Sequence, residues 1–281
     1  MYSRVLVPLD GSPQSQQVLP YVRLLAKALQ LPVELISSFS PVPERMADPR
    51  HGLYIDQLAT TFRDQAQEEL HPIRESLQDS GFAVSSTVHE GDAATHIVDE
   101  ADKQPDTLIA MSTHGRSGIT RWVMGSVTDK VLHATTSPMM IIRCRPEESL
   151  VEEVKLNAMI VPLDGSPHAE SILPHVVTLA KGLGSEIILT RVTSSTDTSL
   201  DPAAYLSQVA QGLRKEGISS VEERLLHGDV SDIIVDLTHQ IADNLIALTT
   251  HGHSGVKHWL GSITDRIVNH ARGPVLVCRC D

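Results

Sequence analysis

Apolar residues along the chain fall into short runs that alternate between two periods. Arg4 to Leu9 is a run of strand length, and Pro13 to Leu29 places Val18, Leu19, Val22, Leu25, Ala26 and Leu29 at the spacing of one helix face. Val33 to Ile36 is again strand-like, Leu53 to Ser80 is largely helical, and Ala83 to His89 predicts a strand. A helix over Ala93 to Lys103, a strand over Thr107 to Met111, a helix over Ser126 to Ala134 and a strand over Pro138 to Arg143 follow. Such alternation predicts a mostly parallel sheet with helices on both faces, because each parallel connection needs a crossover and a helix supplies it.

The pattern then starts again. Val7-Pro8-Leu9-Asp10-Gly11-Ser12-Pro13 recurs as Val161-Pro162-Leu163-Asp164-Gly165-Ser166-Pro167, 154 positions later. Gly91-Asp92 recurs as Gly228-Asp229, and Thr113-His114-Gly115 as Thr250-His251-Gly252, both 137 positions later. Solenoid units repeat at about 20–50 residues, so this is a duplicated domain. The second copy lacks 17 residues in its middle (154 − 137), and the excess in the first is expected in the loop-like stretch Pro41 to Gln57. The expected domains are residues 1–146 and 156–281, two tandem open five-stranded sheets of Rossmann-like α/β class, with 147–155 as a charged linker.

Composition mainly excludes. With 3% aromatic residues, the two cores must rest on Val, Ile, Leu and Ala. A formal charge of −12 speaks against a nucleic-acid surface, which needs clustered Lys and Arg. It leaves a local anion site open, since backbone dipoles act at short range. No apolar run reaches the roughly 18 residues of a membrane span, and Met1 to Leu9 lacks the basic start of a signal peptide. Three cysteines, Cys144, Cys278 and Cys280, form an odd, sparse set that fits a reducing cytoplasm.

Two segments are candidates for chemistry. In Asp10-Gly11-Ser12-Pro13, Ser12 suits a helix N-cap and Pro13 the first helical position. Asp10 either caps that turn or meets a ligand at the carboxyl end of a parallel strand, where open α/β sheets bind theirs. The stretch Ser112 to Gly118, with Gly125-Ser126 after it, is a small-residue loop leading into a helix. Ser126 with Asp129, and Ser262 with Asp265, have the spacing of a capping box. A bland reading is a capped surface loop. Its presence in both copies favours a phosphate site built from loop amides and a helix N-terminus.

The order V-P-L-D-G-S, then G-D, then S-T-H-G-R-S-G, then G-S resembles the universal stress protein family over nearly the whole chain, twice. ATP-binding members carry G-x2-G-x9-G-[S/T]. Gly115 and Gly125-Ser126 match that spacing, with Ser112 in place of the first glycine. In the second copy Thr249 replaces that glycine, and eight residues rather than nine separate Gly252 from Gly261-Ser262. The resemblance implies that Asp10 and Asp164 contact the adenosine end and that Phe39 and Val192 occupy the strand-two position beside the adenine. It places Ser112, His114, Gly115, Arg116, Gly118, Gly125, Ser126 and Val127 around the phosphates, as it does Thr249, Gly252, Gly261 and Ser262. It also implies ATP as ligand, with or without Mg2+, and domain pairing or homodimerisation through the last strands, Met139 to Arg143 and Val275 to Arg279.

Other chemistries find less support. His251, His253 and His258 cluster in the second copy, but no Cys or carboxylate completes a metal-ligand spacing, so loop histidines in solvent are the expectation. Cys278 and Cys280 read as frayed, inert thiols. No G-x-S-x-G elbow, Walker A motif or G-x-G-x-x-G fingerprint is present. The expectation is therefore a cytoplasmic ATP-binding protein of the stress response that works by changing state rather than by catalysis. A nucleotide-free interaction scaffold and a slow ATP hydrolase are the alternatives. The two sites are expected to be unequal, the shortened second loop aiming its amides less well.

Overall fold

The computed structural model describes residues 2–40, 52–113, 124–144, 153–193, 201–250 and 261–279. The first copy runs β1 (Arg4–Pro8), a 3-10 turn (Ser15–Val18), α1 (Leu19–Leu29), β2 (Val33–Phe39), α2 (Gly52–Asp79), β3 (Val84–Glu90), α3 (Ala93–Asp102), β4 (Thr107–Ser112), α4 (Ser126–Ala134) and β5 (Met139–Ile142). The second runs β6 (Ala158–Pro162), α5 (Pro167–Glu170), α6 (Leu173–Leu183), β7 (Glu186–Thr193), α7 (Pro202–Lys215), β8 (Val221–His227), α8 (Val230–Gln240), β9 (Asn244–Thr249), α9 (Ser262–His270) and β10 (Val275–Cys278).

The strands form one sheet in the order β3-β2-β1-β4-β5-β10-β9-β6-β7-β8. The expected pair of five-stranded sheets is thus two halves of a single ten-stranded one. All pairs within a half are parallel. At the seam β5 and β10 run antiparallel, with Ile141 opposite Val275 and Met139 opposite Val277. Strands of the two halves therefore point in opposite directions, and their carboxyl ends lie at opposite edges of the sheet.

Alternate strand residues feed two core layers. Val5, Val7, Leu35 and Met140 pack under α1 and α2, in one cluster with Met159, Val161 and Leu276 under α6 and α7. Leu6, Ile36, Ile109 and Ile141 pack under α3 and α4, in one cluster with Ile160, Ile246 and Val277 under α8 and α9. Both layers run across the seam, so burial of β5 and β10 on both faces explains their unbroken apolar sequences, Met139–Ile142 and Val275–Cys278. Cys278 is accordingly a buried core thiol rather than a frayed one, while Cys280 lies outside the described residues.

Three sequence expectations need correction. The single helix from Pro13 to Leu29 breaks into a 3-10 turn and α1, because Pro20 at the helix start has no N–H with which to continue an earlier helix. The capping boxes do not form. Gly125 and Gly261 are the N-caps, no side chain caps either helix, and Ser126 and Ser262 are already the first helical residues. The excess of the first copy is mostly helix rather than loop, since α2 has 28 residues and α7 has 14.

Candidate functional site

A crevice opens in each half where the strand order reverses, between the carboxyl ends of β1 and β4 and of β6 and β9. Open α/β sheets bind ligands at this point because neighbouring crossover helices there depart to opposite faces. The first crevice, of about 280 Å3, is walled by Ile36, Ile97 and Met111 and rimmed by Asp10, Ser38 and Ser126. The second, of about 320 Å3, has Thr190, Val192 and Leu248 in its wall and Asp164 and Ser262 at its rim.

Asp10 sits where β1 ends in a tight turn. Gly11 takes φ 77° and Gly165 takes φ 80°, the left-handed region that favours glycine. Asp10 Oδ1 accepts from the Ser12 N–H at 3.0 Å and from the Ser12 hydroxyl at 2.6 Å. Ser12 Oγ in turn accepts from the Ser15 N–H at 3.1 Å. Asp164 and Ser166 repeat this at 2.9 and 2.6 Å, with the Ala169 N–H on Ser166 Oγ at 3.1 Å. The aspartate organises the turn, and it also lines the crevice.

The far wall is fixed by backbone and threonine hydroxyls. The Gly125 N–H donates to Thr113 O at 2.6 Å, and Thr128 Oγ1 donates to Ser112 O at 3.1 Å. The second half has Gly261 on Thr250 O at 3.1 Å and Thr264 Oγ1 on Thr249 O at 3.2 Å. Both ends of the shortened loop are therefore anchored as in the first half, and the helix start is not re-aimed. Any difference in aim lies within 251–260, outside the described residues, as do His114, Gly115, Arg116, Gly118 and Gly252.

Of the sequence candidates, Asp10, Ser112, Gly125, Ser126 and Val127 come together in the first crevice. Asp164, Val192, Thr249, Gly261 and Ser262 come together in the second. Phe39 does not join them. Pro8 pairs with Ile36 and Pro162 with Thr190, so the counterpart of Val192 is Ser38, one residue before Phe39. A slip of one along a strand turns a side chain to the other face. Sequence reasoning missed Ser38, Ile36 and Thr190. The signal was the offset of 154 between the copies, which carried through β2 pairs Ser38, not Phe39, with Val192 (192 − 38).

The repeated Gly-Asp motif caps helices. Asp92 accepts from the Thr95 N–H at 3.0 Å and Asp229 from the Asp232 N–H at 3.0 Å. The backbone bond from Thr95, with help from Lys130, holds the Asp92 carboxyl below the usual carboxylate range. Among the described residues no group of three or more His, Cys, Asp or Glu side chains could hold a metal ion. No helix among them is long and apolar enough to cross a membrane.

The family model for the universal stress protein family matches residues 1–143 and again 156–279. The chain belongs to the universal stress protein family. A family member from Mycolicibacterium smegmatis is 20% identical over 98% of this chain and 96% of its own length. A Bacillus subtilis universal stress protein is 26% identical over 51% of this chain and all of its own length, the size of one half. Among solved structures, a universal stress protein from Archaeoglobus fulgidus aligns over 98% of this chain and 96% of its own, with TM-score 0.76 and 22% identity. That likeness is one of fold, and it extends over both halves of this tandem member.

Proposed function

We propose that each crevice holds an adenine nucleotide, ATP above all, with its nucleoside beside Asp10 or Asp164 and its phosphates at the start of α4 or α9. The observation that carries this reading is a crevice at the switch point of the sheet, apolar in its walls and polar at both ends, built twice. The apolar walls suit a planar base. Peptide N–H groups at the start of a helix suit phosphate. Among the described lining residues of the first crevice, Asp10 is the one ionisable group, and its Oδ1 is committed to the turn. Such a set suits binding and orienting a nucleotide. The proposed output is a change of state on ligand binding, in a cytoplasmic stress response. The seam of β5 with β10 is proposed to hold the halves together in solution.

Calorimetric titration with ATP tests this. Asp10→Asn keeps an oxygen for the turn but removes the charge, and should weaken the first site roughly tenfold, about 1.4 kcal/mol. No heat with either ATP or ADP would favour a nucleotide-free scaffold. Rapid ATP turnover that Asp10→Asn abolishes would favour an enzyme.

A further inference from the structure

The wall behind the first crevice holds a feature that the second half lacks. His89, on β3, lies in register beside Ser38, on the sheet face covered by α3. Its ring stacks on that of His96 in α3, with centroids 4.9 Å apart and planes 20° from parallel. His96 donates from Nε2 to Glu90 O at 2.9 Å. It sits one turn along from Ala93 and beside Ile97, both of which line the crevice. His89 Nε2 is buried, has no hydrogen-bond partner, and stands 3.9 Å from Glu100 Oε2.

Charged groups surround the stack unevenly. From α3 come Glu100 and Lys103, from β2 Glu34 and from β1 Arg4, and Glu90 is the next residue of β3 after His89. The other face of β3 packs through Val84 and Val88 into the apolar layer under α2. Glu100 is the nearest anion, but it already binds Lys103 Nζ at 2.7 Å and lies 3.6 Å from Arg4. Burial lowers the His89 pKa first, and His96 lowers it further. Buried and stacked on a second imidazole, His89 takes up a proton reluctantly in the closed stack.

The second half replaces both rings with apolar side chains, Leu226 and Ile233, 137 positions on. The backbone there is equivalent. A Cβ on Gly91 would meet His96 Nε2 at 3.1 Å, and one on Gly228 would meet Ile233 Cδ1 at 2.9 Å.

We propose that the His89–His96 stack makes ligand binding in the first crevice pH-dependent and leaves the second crevice insensitive. A proton taken up by His89 below the ordinary histidine pKa of about 6.5 opens the stack and moves α3 away from β3. Ala93 and Ile97 move with α3, and the first crevice loosens. Linkage fixes the sign: the ligand favours the closed stack and protons the open one, so acid weakens the ligand. The regulation rests on the nucleotide reading of the crevice; the opening of the stack does not.

Two measurements test it on the whole chain. Hydrogen exchange of the ligand-free protein, corrected for the intrinsic effect of pH, is compared at about pH 8 and about pH 5.5, values that bracket histidine titration. Protection at Thr95 and His96 should fall in acid while that at Asp232 and Ile233 holds. Equal behaviour in the two halves overturns the switch whether or not nucleotide binds. ATP is then titrated into wild type and His89→Leu/His96→Ile, which carries the second half's residues. Acid should cost the wild-type first site about tenfold more than the variant, the effect of one unit of pKa shift on binding. Superimposable pH profiles overturn the regulation. If ATP binds at neither pH, the nucleotide reading fails, and exchange alone decides the switch.

Discussion

The foot of the sheet is built from charge in one half and from hydrocarbon in the other. In the first, Arg4 at the start of β1 bonds Glu34 on β2, Thr107 Oγ1 at 3.0 Å and the Glu100 backbone on α3. All four side chains are buried. Their counterparts are Ala158, Ile188, Asn244 and Leu237, equally buried. Asn244 takes over one task, donating to Ile241 O as Thr107 Oγ1 does to Gln104 O. One backbone thus accepts an ion cluster or an apolar plug. A satisfied buried ion pair and well-packed side chains of similar volume come out close in free energy, because the Coulomb gain roughly offsets desolvation. The expensive state is the half-made one.

That contrast can be broken by substitution. Arg4→Ala alone strands the buried carboxylate of Glu34, while Glu100 keeps Lys103, and should destabilise the protein by about 3–5 kcal/mol in urea unfolding. The triple change Arg4→Ala, Glu34→Ile, Glu100→Leu copies the second half and should recover most of the loss. A triple variant as unstable as the single one would show that the two feet are not interchangeable.

The crevice walls differ more mildly, in Ser38 against Val192, Ser15 against Ala169 and, in the opposite sense, Ile36 against Thr190. With both loop ends anchored alike, these walls are the source of inequality between the sites that the described residues offer. Ser38→Val should weaken ATP in the first crevice, and Val192→Ser strengthen it in the second, each by the ~0.5–1.5 kcal/mol of one hydrogen bond. Calorimetry showing neither change would move the inequality into the loops.

Across the seam, the Tyr2 hydroxyl donates to His175 Nδ1 at 2.9 Å, whereas the counterpart positions hold Leu156 and Tyr21. Burial lowers the His175 pKa, with Asp106 opposing. The folded state therefore prefers neutral His175. Its contribution is complete above the unfolded pKa of about 6.5 and is lost as pH falls through the lower folded value. Melting curves of His175→Tyr should lose part of the acid sensitivity of wild type; an unchanged slope would assign that sensitivity elsewhere. The smallest effect is expected at the surface, where Lys130 pairs with Asp92 and Arg266 with Asp232. Both pairs are half in solvent, so Lys130→Ala should leave the melting temperature within error.

The duplication and the order of elements were legible because both are periodic. Seven identical residues mark the repeat, and helix and strand spacings mark the elements. The turn at Asp10 was legible because Asp, Gly and Ser each suit one position of it. Features set by contacts remote in sequence were not. Phe39 and Val192 differ by one step of strand register, which shows only when the 154-residue offset is carried past the identical block into β2. Ser126 has the spacing of a cap, yet Gly125 already holds the extended conformation (φ −60°, ψ 144°) at that place. Arg4, Glu34 and Glu100 lie far apart in the chain. Their signal appears only when the copies are laid side by side and three charges are found to vanish together.

The seam sets an order of events during synthesis. Ile141 on β5 pairs with Val275 on β10, 134 positions later (275 − 141). At the roughly 5–20 residues per second of translation, β5 waits on the order of ten seconds for its neighbour. Until then Met139 to Ile142 is an apolar strand with an open edge, the kind of template on which other chains can pair. The nascent first half must therefore shield that edge, or have a chaperone shield it, until its twin arrives.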